Sequence, residues 1–158
     1  MAFSRSITEI IAARVSCRSY DKRPIAGEIR QRLSDIASAA GHGPFGTSSR
    51  FALIAATEAD RAALKGLGTY GFIKGATGFI VGATNDPAHG TEDYGYLMEL
   101  IILHATDLGL GTCWLGGSFT KSSFAAKIAA RTDEIVPAVT AVGYAAEQPR
   151  ALGFFRPA

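Results

Sequence analysis

The stretch from about Glu92 to Leu108 constrains what this chain can fold into more than any other part of it. Leu97, Leu100, Ile101, Ala105 and Leu108 recur at helical spacing as one apolar stripe, and Gly109 closes the helix. Met98, Ile102 and Leu103 fall outside that stripe. A helix that is apolar nearly all round must be buried nearly all round. A chain of 158 residues has enough material for one core, over 1–158 as a single domain, and little to enclose a helix on every side. The expectation is therefore a homodimer with this helix at its centre.

The remaining elements are short. Ser6 and Glu9 read as a capping box, so Ile7, Ile10 and Ile11 belong to a first helix that ends near Arg14. Pro24 precedes a second helix through Ile25, Ile29, Leu33, Ile36 and Ala40, stopped by Gly41. Nearly all-apolar runs at Phe51–Ala56, Gly78–Ala83, Thr112–Leu115 and Ala138–Tyr144 predict buried strands. Glu58–Lys65 and Lys121–Ala130 predict brief helices. Helices interleaved with such strands predict a sheet covered on both faces, either α/β or α+β.

Several function classes drop out. Hydrophobic residues make up 47% and charged residues 19%, which excludes a disordered, solvating chain. A formal net charge of +2 is too mild to imply nucleic acid as a partner. The longest apolar runs, such as Leu100–Leu103, fall far short of a membrane span, and the polar residues Ser4, Arg5, Ser6, Thr8 and Glu9 break up any secretory leader. Cys17 and Cys113 lack metal-ligand spacing and suit a reducing compartment, so a cytoplasmic protein is expected. His42, His89 and His104 are isolated, and no protein-built metal site is expected. His104 reads as a hydrogen-bonded packing residue, and Glu99 as half of a surface or intersubunit ion pair.

Two runs fit G-x-G-x-x-G, Gly41–Gly46 and Gly66–Gly71, but each follows a helical segment and precedes a strand. A dinucleotide loop needs the reverse order, so that a helix N-terminus faces the pyrophosphate. Neither a P-loop nor a G-x-S-x-G elbow occurs. The absence of an acid–base constellation is compatible with chemistry borrowed from a cofactor.

Two segments remain. Arg14-Val15-Ser16-Cys17-Arg18 follows the first helix, and in extended chain residues 14, 16 and 18 project to one side. Two guanidiniums and a hydroxyl there suit a phosphate or a carbonyl-rich ring edge. Lys22, Arg23, Arg30 and Arg32 crowd the same stretch, which points to a local anion site. Much later, Gly116 and Gly117 follow the strand ending at Leu115, where bare main chain lets a flat ligand come close.

With Gly43-Pro44-Phe45-Gly46, Tyr70 through Ala76, Asp93-Tyr94-Gly95-Tyr96, Leu108 through Phe119, Ile135 through Val139 and Gly143-Tyr144, in that order and spacing, the chain resembles the nitroreductase family of flavoproteins, closest to its TM nitroreductase branch. The resemblance implies an α+β fold with a central, mostly antiparallel sheet flanked by helices and a long buried helix at a dimer interface. It implies FMN held between the two chains of an intertwined homodimer. Arg14, Ser16 and Arg18 match the positions that hold the flavin's phosphate, ribityl chain and pyrimidine edge. Arg14 is matched to the phosphate and Arg18 to the charge near N1 and O2. Gly116 and Gly117, entered from Leu115, match the turn whose backbone N–H approaches the ring, and Lys74 is an additional donor. Relatives continue beyond the Gly143-Tyr144 strand, often with a C-terminal half, and a basic residue there closes over the phosphate; Arg156, with Arg150, is the candidate here. The implied activity is NAD(P)H-dependent reduction of small-molecule acceptors, nitroaromatics or quinones, by a ping-pong mechanism without a catalytic side chain. The alternative is a dimer that binds flavin or another flat anion without turnover. Thr47, Ser48 and Ser49 stand where relatives carry a Pro-Ser-x-x-x-Gln-Pro-type loop, so that loop's side-chain contact is not carried over.

Overall fold

The strands Ser49–Ala55 (β1), Gly78–Thr84 (β2), Gly111–Leu115 (β3) and Val139–Gly143 (β4) pair into one sheet in the order β1-β2-β4-β3. The computed structural model describes residues 2–85 and 88–146. Every pairing in the sheet is antiparallel, with Ser49 opposite Thr84, Ile80 opposite Thr140 and Leu115 opposite Val139. That pairing selects α+β over α/β. Side chains alternate across a strand, so Phe51, Ile80 and Val142 enter one core cluster while Phe79, Val81, Cys113, Leu115 and Ala141 enter another on the opposite face. Both faces are buried, which is why the strands read as continuous apolar runs.

Among the described residues four α-helices accompany the sheet: Ile7–Ala13 (α1), Gly27–Ala39 (α2), Gly90–Asp107 (α3) and Lys121–Lys127 (α4). The capping box of α1 is present, with Glu9 N donating to Ser6 Oγ at 3.3 Å and Ser6 N to Glu9 Oε2 at 3.2 Å. The helix expected over Glu58–Lys65 is only a 3-10 turn at Arg61–Leu64. Thr57 and Asp60 accept from the N–H groups of Asp60 and Ala62, which favours a turn over a continued helix. Likewise α4 ends at Lys127, short of Ala130, because Ala129 adopts a left-handed φ of 46°.

The long helix α3 is largely buried, as its sequence predicts. Of its stripe, Leu97, Ile101 and Ala105 are buried, as are Met98, Ile102 and Leu103 outside it, while Leu100 and Leu108 stay half-buried. Helices α1 and α2 and strands β1, β2 and β3 all pack on α3. His104 packs by stacking on Phe3, with ring centroids 4.1 Å apart.

Candidate functional site

Helix α1 ends at Arg14, whose N–H donates to Ile10 O at 2.9 Å. The chain then runs extended beside the start of β3. Ser16 pairs with Thr112 in parallel, and Cys17 N donates to Thr112 O at 2.8 Å. Cys17 turns inward over Gly111, where an added Cβ would meet its Cβ at 2.9 Å; this contact explains a glycine at the first residue of β3. With Cys17 inside, Ser16 and Arg18 stay exposed and Arg14 is half-buried. Ser16 Oγ lies 3.3 Å from Cys113 Sγ.

Arg14 is tied within its own chain. Its Nε lies 3.3 Å from Glu99 Oε1, and the indole Nε1 of Trp114 donates to Glu99 Oε2 at 2.7 Å. The ion pair formed by Glu99 joins the end of α1 to α3 within the chain. Arg18 has no ionic partner among the described residues.

Lys74 is brought to Arg18 by main-chain bonds. Its N–H donates to Arg18 O at 2.9 Å, and its carbonyl accepts from Tyr20 N at 2.9 Å. The loop that carries it, residues 66–75, bends through left-handed φ at Gly66, Tyr70, Gly71 and Gly75. Gly66 and Gly71 of the second G-x-G-x-x-G run therefore serve turning, while Gly68 leaves room for Thr120, whose Oγ1 a Cβ would meet at 2.7 Å. The far end of this loop reaches the segment after the glycine pair, since Thr120 N donates to Gly68 O at 3.0 Å.

Gly116 and Gly117 are exposed, and a Cβ on either would meet nothing within 4 Å. Neither has a left-handed φ. The chain's own packing and backbone therefore do not demand glycine at either place, and the main chain there lies open to an approaching ligand. Gly116 lies four residue steps along the chain from Thr112, beside Ser16, a run of about 13 Å. Leu115 buries its side chain in the core, so only its main chain borders this opening. Arg150 and Arg156 lie outside the described residues.

A buried carboxylate organises the Gly43–Thr47 loop. Asp93 accepts from Phe45 N at 2.9 Å, Thr47 N at 2.8 Å and Thr47 Oγ1 at 2.7 Å. Burial opposes its charge, but the bonds from Phe45 and Thr47 outweigh that and hold the carboxyl below its ordinary range. A Cβ on Gly43 would run into this carboxylate. Sequence reasoning assigned no role to Asp93 and did not link Glu99 with Trp114. The available signal was an acid set among the apolar residues of a buried helix, which requires nearby donors.

Among the described residues no group of His, Cys, Asp and Glu could hold a metal ion, and no helix is long and apolar enough to cross a membrane.

The family model described as "Putative TM nitroreductase" matches residues 6–154. No curated protein matches the chain. A nitroreductase family protein from Clostridium difficile 630 superposes with a TM-score of 0.66 at 20% identity, over 93% of this chain and 88% of that one. A "Putative NADH dehydrogenase/NAD(P)H nitroreductase" from Bacteroides thetaiotaomicron VPI-5482 gives 0.69 at 16% identity, over 97% and 94%. A nitroreductase with bound FMN from Bacteroides fragilis NCTC 9343 gives 0.67 at 20% identity, over 98% and 95%. The sheet and its flanking helices form the nitroreductase fold, and the chain belongs to the nitroreductase family.

Proposed function

We propose that this protein is an FMN-dependent oxidoreductase that uses NAD(P)H to reduce nitroaromatics or quinones by a ping-pong mechanism. The bound-FMN relative from Bacteroides fragilis and the NAD(P)H named for the Bacteroides thetaiotaomicron relative support this reading. The observation that carries it is the open main chain at Gly116 and Gly117, one short strand along β3 from the segment that carries the exposed Ser16 and Arg18.

The donor set fits the cofactor. Arg18 and Lys74 offer positive charge to the pyrimidine edge, Ser16 a hydroxyl to the ribityl chain, and Arg14 a guanidinium to the phosphate. The open main chain at Gly116 and Gly117, reached from Leu115, lets a flat ring approach without a side chain in the way. Bound FMN supplies the two-electron redox chemistry. This chain's residues bind and orient it, and the charge of Arg18 and Lys74 favours the anionic reduced state. No side chain acts as acid or base.

The unit is a single domain working as a cytoplasmic homodimer. Ile11 at 55% and Val15 at 70% exposure continue an apolar face from Ile7 along and past α1, suited to a second chain. The visible spectrum of the purified protein with added FMN tests the reading. Flavin absorbance that stays with the protein and is bleached by NADH or NADPH is expected. Arg18→Ala is expected to weaken FMN retention or slow reduction. A protein that never holds FMN overturns the reading; one that holds it without oxidising NADH or NADPH with any nitro or quinone acceptor is a flavin-binding protein instead.

A further inference from the structure

Glu99 is the only acidic residue of α3 between Asp93 and Asp107. Both of its carboxylate oxygens are used, Oε2 by the Trp114 indole at 2.7 Å and Oε1 by Arg14 Nε at 3.3 Å. Trp114 belongs to β3 and packs against the core cluster that contains α3. Its indole therefore fixes one oxygen of Glu99 and with it the place of the other.

The Arg14 and Glu99 side chains are 30% and 39% exposed, and an ion pair so open to water adds little stability. Its consequence is conformational. Arginine carries several rotatable bonds and a planar fork of five donors. Contact at Nε, on the stem side of the fork, orients the plane and leaves the terminal nitrogens for another anion. We infer that Glu99, itself held by Trp114, is a positioning residue that presents Arg14 to the phosphate of FMN. This rests on the flavin site proposed above.

The test compares dissociation constants for FMN and for riboflavin, which lacks the phosphate, in the wild type, Glu99→Gln, Arg14→Ala and the double variant. Glutamine keeps a carbonyl oxygen for the Trp114 indole and loses the charge that holds Arg14. Glu99→Gln is expected to weaken FMN by about two- to tenfold, the equivalent of immobilising one long side chain. Riboflavin binding is expected to stay as in the wild type, and Glu99→Gln to add nothing in the Arg14→Ala background. Trp114→Phe frees Glu99 without changing charge and is expected to give a loss selective for FMN. Equal or tighter FMN binding by Glu99→Gln, an equal loss of riboflavin, or additivity with Arg14→Ala overturns the inference and leaves the flavin site standing. A wild type that binds neither flavin overturns both.

Discussion

Glu99 of α3 and Trp114 of β3 are joined by a 2.7 Å hydrogen bond from the indole N–H to the carboxylate. Trp114 is the only tryptophan in the chain, so tryptophan fluorescence reports on the surroundings of this indole. Glu99→Ala removes the acceptor from a half-buried indole. It is expected to shift the emission spectrum and to lower the free energy of urea unfolding by about 1 kcal/mol. Unchanged emission would show that the bond does not persist in solution.

The Asp93 carboxylate substitutes for the missing backbone partners of the Gly43–Thr47 loop. In Asp93→Asn one oxygen becomes an NH2 group facing N–H donors, so the amides of Phe45 and Thr47 are expected to lose about tenfold or more of their hydrogen-exchange protection. The Asp93 carboxyl is lowered on folding. Its contribution is therefore complete at neutral pH and is lost as pH falls through and below the ordinary aspartate range.

Glu134 gives a sharper acid signature. Hydrogen bonding from Arg50, at 2.7 and 2.8 Å, is the main cause that holds its carboxyl at about 2 against an ordinary 4.5; burial opposes this, and Arg131 N adds to it. The folded value lies below the unfolded one, so the stabilisation is full above pH 4.5 and disappears as pH falls towards 2. Glu134→Gln is expected to cost on the order of 1–2 kcal/mol at pH 7, with solvent screening on the Arg50 side included. It is also expected to flatten the stability curve across that acid window, as measured by urea midpoints from pH 2 to 7.

Alanine at two glycines is expected to give opposite results. A Cβ at Gly82 would meet Tyr94 Cε2 at 2.8 Å and the Phe51 ring more closely still, so Gly82→Ala is expected to destabilise the core by about 2 kcal/mol. Gly117→Ala meets nothing in the chain and is expected to leave the urea midpoint unchanged. If the turn faces the flavin, the same change weakens FMN by about tenfold, a loss of roughly 1.4 kcal/mol. A titration with FMN beside the two unfolding curves checks both.

Much of the frame was legible from local pattern. Ser6 and Glu9 marked the start of α1, and the four apolar runs marked all four strands because both sheet faces are buried. The Glu58–Lys65 helix was misread because Thr57 and Asp60 bond the nearby N–H groups in a turn. In the site, the end of α1 near Arg14 was readable, whereas the pairing of Arg14 with Glu99 was not.

The sequence by itself determined which residues share a face of an element and where each element begins and turns, since those follow from helical and strand periods and from capping within a few residues. Only the tertiary structure decided that the main chain of Lys74 pairs with the segment from Arg18 to Tyr20, that Asp93 holds the Gly43–Thr47 loop, and that Glu99 stands between Arg14 and Trp114. Those relations join residues far apart along the chain. No local period encodes such contacts; they arise when the sheet order β1-β2-β4-β3 and the packing of α1 and α2 on α3 bring distant segments together.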